Sequence, residues 1–169
     1  NIEQSLKKIL KQNQDYVGIA PGAGEKNKVW PINNYIEICR YLEAKDCKLV
    51  FYLGPNEKEY EEVLKSHFQK AIFLENELLL SKYSNIEIIM TSTKFLKFAI
   101  SNDSGVSHML STNHCPLIKL FGPKDAKKFT PKIKNLITIS SSEVNSDRVE
   151  DIKVSRVIKT IEDMKFINV

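Results

Sequence analysis

The chain lacks most of the features that announce a chemistry at a glance. Cysteine is sparse: Cys39, Cys47 and Cys115 are scattered and odd in number, with no C-x-x-C pair among 169 residues. That argues against a disulfide framework or a cysteine zinc site and leads us to expect a reducing, cytoplasmic setting. No apolar run approaches the roughly 20 residues that cross a bilayer, and no signal-peptide pattern is present. No linker, repeat or low-complexity segment divides the sequence, so its length predicts one domain over residues 1–169. Arginine occurs only at Arg40, Arg148 and Arg156, so the net charge of +4 is carried by lysine. Most of that excess reads as a solvated surface. The short clusters Lys7, Lys8, Lys11 and Lys124, Lys127, Lys128 are placed to face acidic groups, a nucleotide or an anionic membrane surface. There is no stripe of interleaved basic and aromatic residues, so no nucleic-acid partner is expected. The motifs assemble no Ser–His–Asp set, no metal cluster and no close carboxylate pair. The catalytic residue is therefore unknown at this stage, and no metal or cofactor is predicted.

What the chain does have is an alternation of strand and helix patterns. Leu6, Ile9 and Leu10 give a short amphipathic lead-in helix, and Tyr16–Ala20 a first strand. Ile32, Tyr35, Ile36, Cys39 and Leu42 recur at helical spacing, with Pro31 suited to the first turn. Leu49–Leu53 is a continuous apolar run, the mark of a strand buried on both faces. Asn56 with Glu59 three residues on resembles a capping pair opening a helix that buries Tyr60, Val63, Leu64 and Phe68. Ala71–Leu74 is a third strand, and Ile86, Ile89 and Met90 belong to a further helix. Phe98–Ser101, Leu117–Phe121 and Leu136–Ser140 supply strands four to six. Ser140–Ser142 reads as a loop before a closing helix with Val154, Val157, Ile158, Ile161 and Met164. Such alternation predicts an α/β fold with a parallel sheet and helices on both faces, whose ligand binds beyond the carboxyl ends of the strands.

Two turns fall at such ends. The first is Pro21-Gly22-Ala23-Gly24, followed by Lys28. Two glycines are a weak signal for phosphate binding, because Asn27 stands where a dinucleotide fingerprint has its third. Lys28 strengthens it, since an ammonium over a glycine turn neutralises a diphosphate. The second is Ser101-Asn102-Asp103-Ser104-Gly105, leading into a helix with His108. Asp103 or Ser104 is expected to cap that helix, Gly105 to admit a ligand close to the backbone, and the helix start to seat a phosphate. His108, a turn further on, is read as a phosphate or sugar contact. Asp103 is either a cap alone or a contact to a sugar hydroxyl. Trp30 reads as core rather than as a stacking platform, and His67 and His114 as surface groups. Of the acidic helix start Glu57, Glu59, Glu61 and Glu62, the member nearest strand two is placed to hold ribose hydroxyls.

The ordered set Pro21-Gly22-Ala23-Gly24, Lys28-Val29-Trp30-Pro31, Asn102-Asp103-Ser104-Gly105 with His108, and Leu120-Phe121-Gly122-Pro123 resembles the heptosyltransferases of glycosyltransferase family nine, over about residues 16–131. The resemblance implies a GT-B glycosyltransferase of which this chain is the C-terminal, Rossmann-like donor domain, the N-terminal acceptor domain being absent from it. Such enzymes carry a heptose from ADP-heptose to the lipopolysaccharide inner core at the cytoplasmic face of the inner membrane. By position, Lys28 resembles the family lysine that contacts the donor diphosphate, and Asp103, Ser104, Gly105 and His108 the D-[ST]-G-x-x-H donor loop; Gly22, Ala23 and Gly24 are expected to line the donor cleft with them. Glu57 and Glu59 are both candidates for the ribose acid. The family's catalytic acid lies in the half absent here, so the isolated domain is expected to be inactive. Lys124-Asp125-Ala126 stands where the family commonly has Thr-Asp-Pro, and Thr130-Pro131 where it has Gly-Pro. These departures bear on the sugar more than on the class. The alternatives are a stand-alone nucleotide-binding module and a relative of the nucleotide-sugar 2-epimerases. The predicted sheet is doubly wound, with strand order 3-2-1-4-5-6.

Overall fold

The apolar runs set the architecture. In the computed structural model, which describes residues 1–122 and 135–167, each run forms a strand of one sheet: β1 (Tyr16–Ala20), β2 (Lys48–Phe51), β3 (Ile72–Phe73), β4 (Leu96–Asn102), β5 (Leu117–Phe121) and β6 (Leu136–Ser140). The strand order is β3-β2-β1-β4-β5-β6, as predicted, and every neighbouring pair is parallel. β1 and β5 are buried along their whole length, as strands covered on both faces must be. The helices are α1 (Ile2–Ile9), α2 (Ile32–Ala44), α3 (Lys58–His67), α4 (Asn85–Ser92), α5 (Gly105–Leu110) and α6 (Val154–Asp163).

Side chains alternate across the sheet. Val17, Ile19, Leu49, Phe51, Phe98 and Ile100 point to one face, where α2, α3 and α6 cover them with Ile38, Leu64 and Val157. Tyr16, Ala20, Val50, Tyr52 and Ala99 point to the other, covered by α1, α4 and α5 through Leu6, Ile88 and Leu110. Cys39, Cys47 and Cys115 are buried free thiols. Burial pushes Cys47 up to about 11 and Cys115 to about 12. No helix among the described residues is long and apolar enough to cross a membrane.

Several local expectations give way to other contacts. Pro31 holds the cap position of α2 in an extended conformation rather than its first turn. The Asn56–Glu59 pair does not cap α3; Glu57 occupies that position, and its carboxylate turns back to accept from the Gly54 N–H instead. Val63 is exposed, and Leu64 and Phe68 do the packing. Ile86, Ile89 and Met90 do lie on a helix, α4, as expected; its buried residues are Ile88 and Ser92, Ile86 and Met90 face out, and Ser84 with Glu87 forms the capping box. Ser140 ends β6, and Ser141–Val144 is a 3-10 turn with its own Ser140–Glu143 box rather than a loop. Met164 follows α6 and is largely exposed. Lys124, Lys127 and Lys128, the Lys124-Asp125-Ala126 departure, Pro123 and Thr130-Pro131 lie outside the described residues.

Candidate functional site

β1 and β4 are adjacent, with Ala20 opposite Ser101, so the two glycine turns open at the same edge of the sheet. Asn102, the last residue of β4, is fully buried and divides its amide between the first turn and the segment that leads from it into α2. Its Oδ1 accepts from the Trp30 N–H at 3.1 Å and the Tyr35 hydroxyl at 3.0 Å. Its Nδ2 donates to the carbonyls of Pro21 at 2.7 Å and Gly22 at 3.4 Å. Trp30 is core, as expected: it is fully buried, its indole N–H donates to the Ile152 carbonyl at 2.9 Å, and its ring meets Tyr35 edge-on.

Asp103 is neither a helix cap nor an open carboxylate. Its backbone N–H donates to the Leu120 carbonyl, and its Oδ1 lies 2.9 Å from the Lys119 ammonium. Its Oδ2 lies 3.8 Å from Lys28, whose ammonium is also 2.7 Å from Glu25. Lys119 is buried and sits over the Phe121 ring at 4.9 Å. The motif reading missed it, although a lysine inside the apolar run Leu117–Phe121 is a readable signal: a charge in a strand buried on both faces needs a partner.

Ser104 takes the N-cap position of α5 in extended conformation, yet its hydroxyl makes no capping bond, against the sequence expectation. The Oγ is buried without a hydrogen-bond partner among the described residues. α5 itself has six residues, so its dipole is short and any anion affinity rests on the turn's N–H groups and on Lys28. His108 is exposed on α5, and His67 and His114 are exposed elsewhere.

The two turns enclose a cavity of about 230 Å³ lined by Gly22, Ala23, Gly24, Tyr52, Gly54, Glu57, Ser104, Gly105, Val106 and Met109. His108 is not part of its lining. Glu57 is half-buried between the glycines: a Cβ placed on Gly22 would run into its carboxylate, and one on Gly54 would stand 3.1 Å from Oε2. Glu57 also lines an outer cavity of about 370 Å³ with Lys26 and Tyr60; Glu59 reaches only that one and is exposed. Glu57 is thus the acid that the structure brings to both turns. On the far side of Gly54 a third cavity of about 160 Å³ runs between the ends of β2 and β3 and helices α4 and α5. Among the described residues no group of three or more His, Cys, Asp and Glu side chains converges on a metal-sized site.

The sequence matches the profile of glycosyltransferase family 9 (heptosyltransferase) over residues 2–157. Lipopolysaccharide heptosyltransferase 1 of Campylobacter coli is 27% identical over 172 residues, covering 96% of this chain and 49% of that protein. The fold is similar to that of E. coli heptosyltransferase WaaC solved with ADP-2-deoxy-2-fluoro heptose, with a TM-score of 0.74 at 20% identity over 96% of this chain and 47% of that one. It is also similar to E. coli ADP-heptose lps heptosyltransferase II, with a TM-score of 0.77 at 18% identity over 96% and 50% of the two chains. The chain spans about half the length of each of these proteins.

Proposed function

The chain belongs to glycosyltransferase family 9, and on that premise we propose that it is the donor-binding domain of a heptosyltransferase, the C-terminal half of a GT-B enzyme, holding ADP-heptose for transfer to a lipopolysaccharide core acceptor. The observation that carries this reading is the single cavity into which both glycine turns and Glu57 converge. The Gly22–Gly24 backbone and Ser104, with its unpartnered hydroxyl, line the cavity where a diphosphate would lie; Lys28 is not part of that lining and is tied to the second turn through Asp103. Lys28 already sits between Glu25 and Asp103, so its ammonium is held at the mouth of the first turn rather than searching for the phosphates. Asp103 positions both lysines and leaves direct contact to Ser104 and Gly105. Glu57, rather than Glu59, is the acid for the ribose hydroxyls, and the base extends past Gly54 into the apolar cavity beyond.

The half-length match supports a second α/β domain as the missing wall of the cleft, carrying the acceptor and the catalytic base. The setting that follows is the cytoplasmic side of the inner membrane, with peripheral contact to it. Family membership favours this transferase reading over a stand-alone nucleotide-binding module or a 2-epimerase relative. Calorimetric titration with ADP and ADP-heptose tests it: one site is expected for each, with the same affinity after EDTA treatment, since lysines and backbone N–H groups offset the diphosphate charge. Incubation of this chain with ADP-heptose and a lipid A–Kdo acceptor is expected to release no ADP above the blank. Failure to bind ADP overturns the donor reading; sustained turnover overturns the assignment of the base to another domain.

A further inference from the structure

The third cavity holds an unpaid polar group. Its walls include Tyr52, Leu74, Ile88, Ile89, Val106 and Met109 and are mostly apolar; the polar side chains besides Glu75 are Asn85, at the start of α4, and Tyr52, whose hydroxyl is already bonded to Ser92 Oγ at 2.7 Å. Into this lining comes Glu75, directly after β3, with Oε1 buried and without a hydrogen-bond partner among the described residues. Glu75 as a whole is half-buried, but a buried carboxyl oxygen left unpaired is costly, and a ligand that pairs it recovers that cost. The cavity shares Tyr52, Gly54, Val106 and Met109 with the one that Glu57 lines, so a nucleoside whose ribose lies at Glu57 has its base here.

We propose that Glu75 is the residue that reads the nucleobase, its carboxyl pairing with the hydrogen-bonding edge of adenine. The assignment rests on the donor-site reading above. A carboxylic acid offers a donor and an acceptor side by side, the complement of adenine's amino group and its neighbouring ring nitrogen; a carboxylate offers acceptors only. The same pattern lets a glutamine amide pair with adenine bidentately. The surroundings favour the acid form. Burial, then the nearby carboxylates of Glu61 and Glu57, push the Glu75 carboxyl up to about 7, against its own backbone N–H and Lys65. Those charges all come from α3 and its cap; Tyr52 faces it from the end of β2, and the lining residues of α4 and α5 carry none. Adenine binding at Glu75 is therefore coupled to a proton.

The test is the ratio of ADP affinity to inorganic pyrophosphate affinity, measured by calorimetry on this chain from pH 6 to 8.5. Pyrophosphate lacks both ribose and base, so the ratio cancels the phosphate contacts, and its change between wild type and the Glu75 variants isolates the third cavity. In the wild type the ratio is expected to fall above pH 7, approaching tenfold per pH unit as one proton must be taken up. In Glu75→Gln, which keeps a donor and an acceptor, the ratio is expected to be flat with pH. In Glu75→Ala it is expected to be about tenfold lower at pH 6, the loss of one hydrogen-bonded contact. Thermal unfolding without ligand gives an independent readout. A carboxyl raised in the folded state contributes stability that is full below about pH 4.5 and lost as pH rises through about 7, so Glu75→Gln flattens that decline. Parallel ratio profiles in wild type and Glu75→Gln, or an undiminished ratio in Glu75→Ala, overturn the assignment of Glu75 alone. A wild type that takes up neither ADP nor pyrophosphate overturns the donor-site reading, and this assignment with it.

Discussion

The two turns that wall the cleft are held by opposite kinds of force, and consecutive residues of one strand supply both. Asn102 holds the turn after β1 with neutral hydrogen bonds to Pro21, Gly22, Trp30 and Tyr35. Asp103 anchors the turn after β4 through charge, between buried Lys119 and Lys28. The neutral clamp has a uniquely matched set of donors and acceptors and fixes geometry. The charged clamp fixes geometry too, but it also presets the field that a diphosphate would meet. One strand end thus sets shape on one wall and potential on the other.

Substitutions can pull these roles apart. The largest effect is expected from Asn102→Ala, which orphans the Trp30 N–H, the Tyr35 hydroxyl and the Pro21 carbonyl. At about 1–3 kcal/mol for each of these three buried groups, urea denaturation should show a loss of about 3–9 kcal/mol. Asp103→Asn comes next, because it leaves the Lys119 ammonium buried without its carboxylate, at a cost of about 3–5 kcal/mol. Adding Lys119→Met removes the stranded charge, so the double variant should be more stable than Asp103→Asn alone; an additive loss would mean the pair does not act as a clamp. Lys28→Ala should leave the fold nearly intact and weaken ADP binding by about 1.5–3 kcal/mol by calorimetry, the range for a charged hydrogen bond. The smallest expected effect separates the two glycines. Gly22→Ala displaces the flexible end of Glu57 and should lower ADP affinity with a stability change under about 1 kcal/mol, whereas Gly24→Ala meets no protein atom and should leave stability unchanged.

The sheet was legible because its strands are long apolar runs set between helical patterns, a signal that needs no knowledge of distant contacts. The turns were legible as places for the same reason: Gly22 and Gly105 stand within a few residues of the ends of such runs. What each polar side chain does there was not. Asp103 next to a glycine and a helix start carries the local signature of a cap, but Lys119, sixteen residues on, outcompetes the helix N–H groups for it. The Asn56–Glu59 spacing looked like a cap for the same local reason, while Glu57 turned instead to Gly54. Glu57 and Glu59 could not be told apart by spacing, since only two residues separate the half-buried cap of α3 from an exposed position in its first turn. Glu75 gave no signal in the sequence; only the packing of α4 and α5 over β3's end makes its carboxyl unusual.

The bonds from Asn102 to the first turn and to the segment leading into α2 bridge 67 to 81 residues of chain. During synthesis, β1 can pair with β2 early, but its other neighbour β4 and the amide that shapes its turn are made much later. The wall that comes first in sequence is therefore finished last. Until β4 docks, Gly22 and its neighbours are an open loop whose closure entropy nothing offsets. A chain stopped short of Asn102 should hold neither wall, and the cleft should be acquired in one late, cooperative step rather than turn by turn.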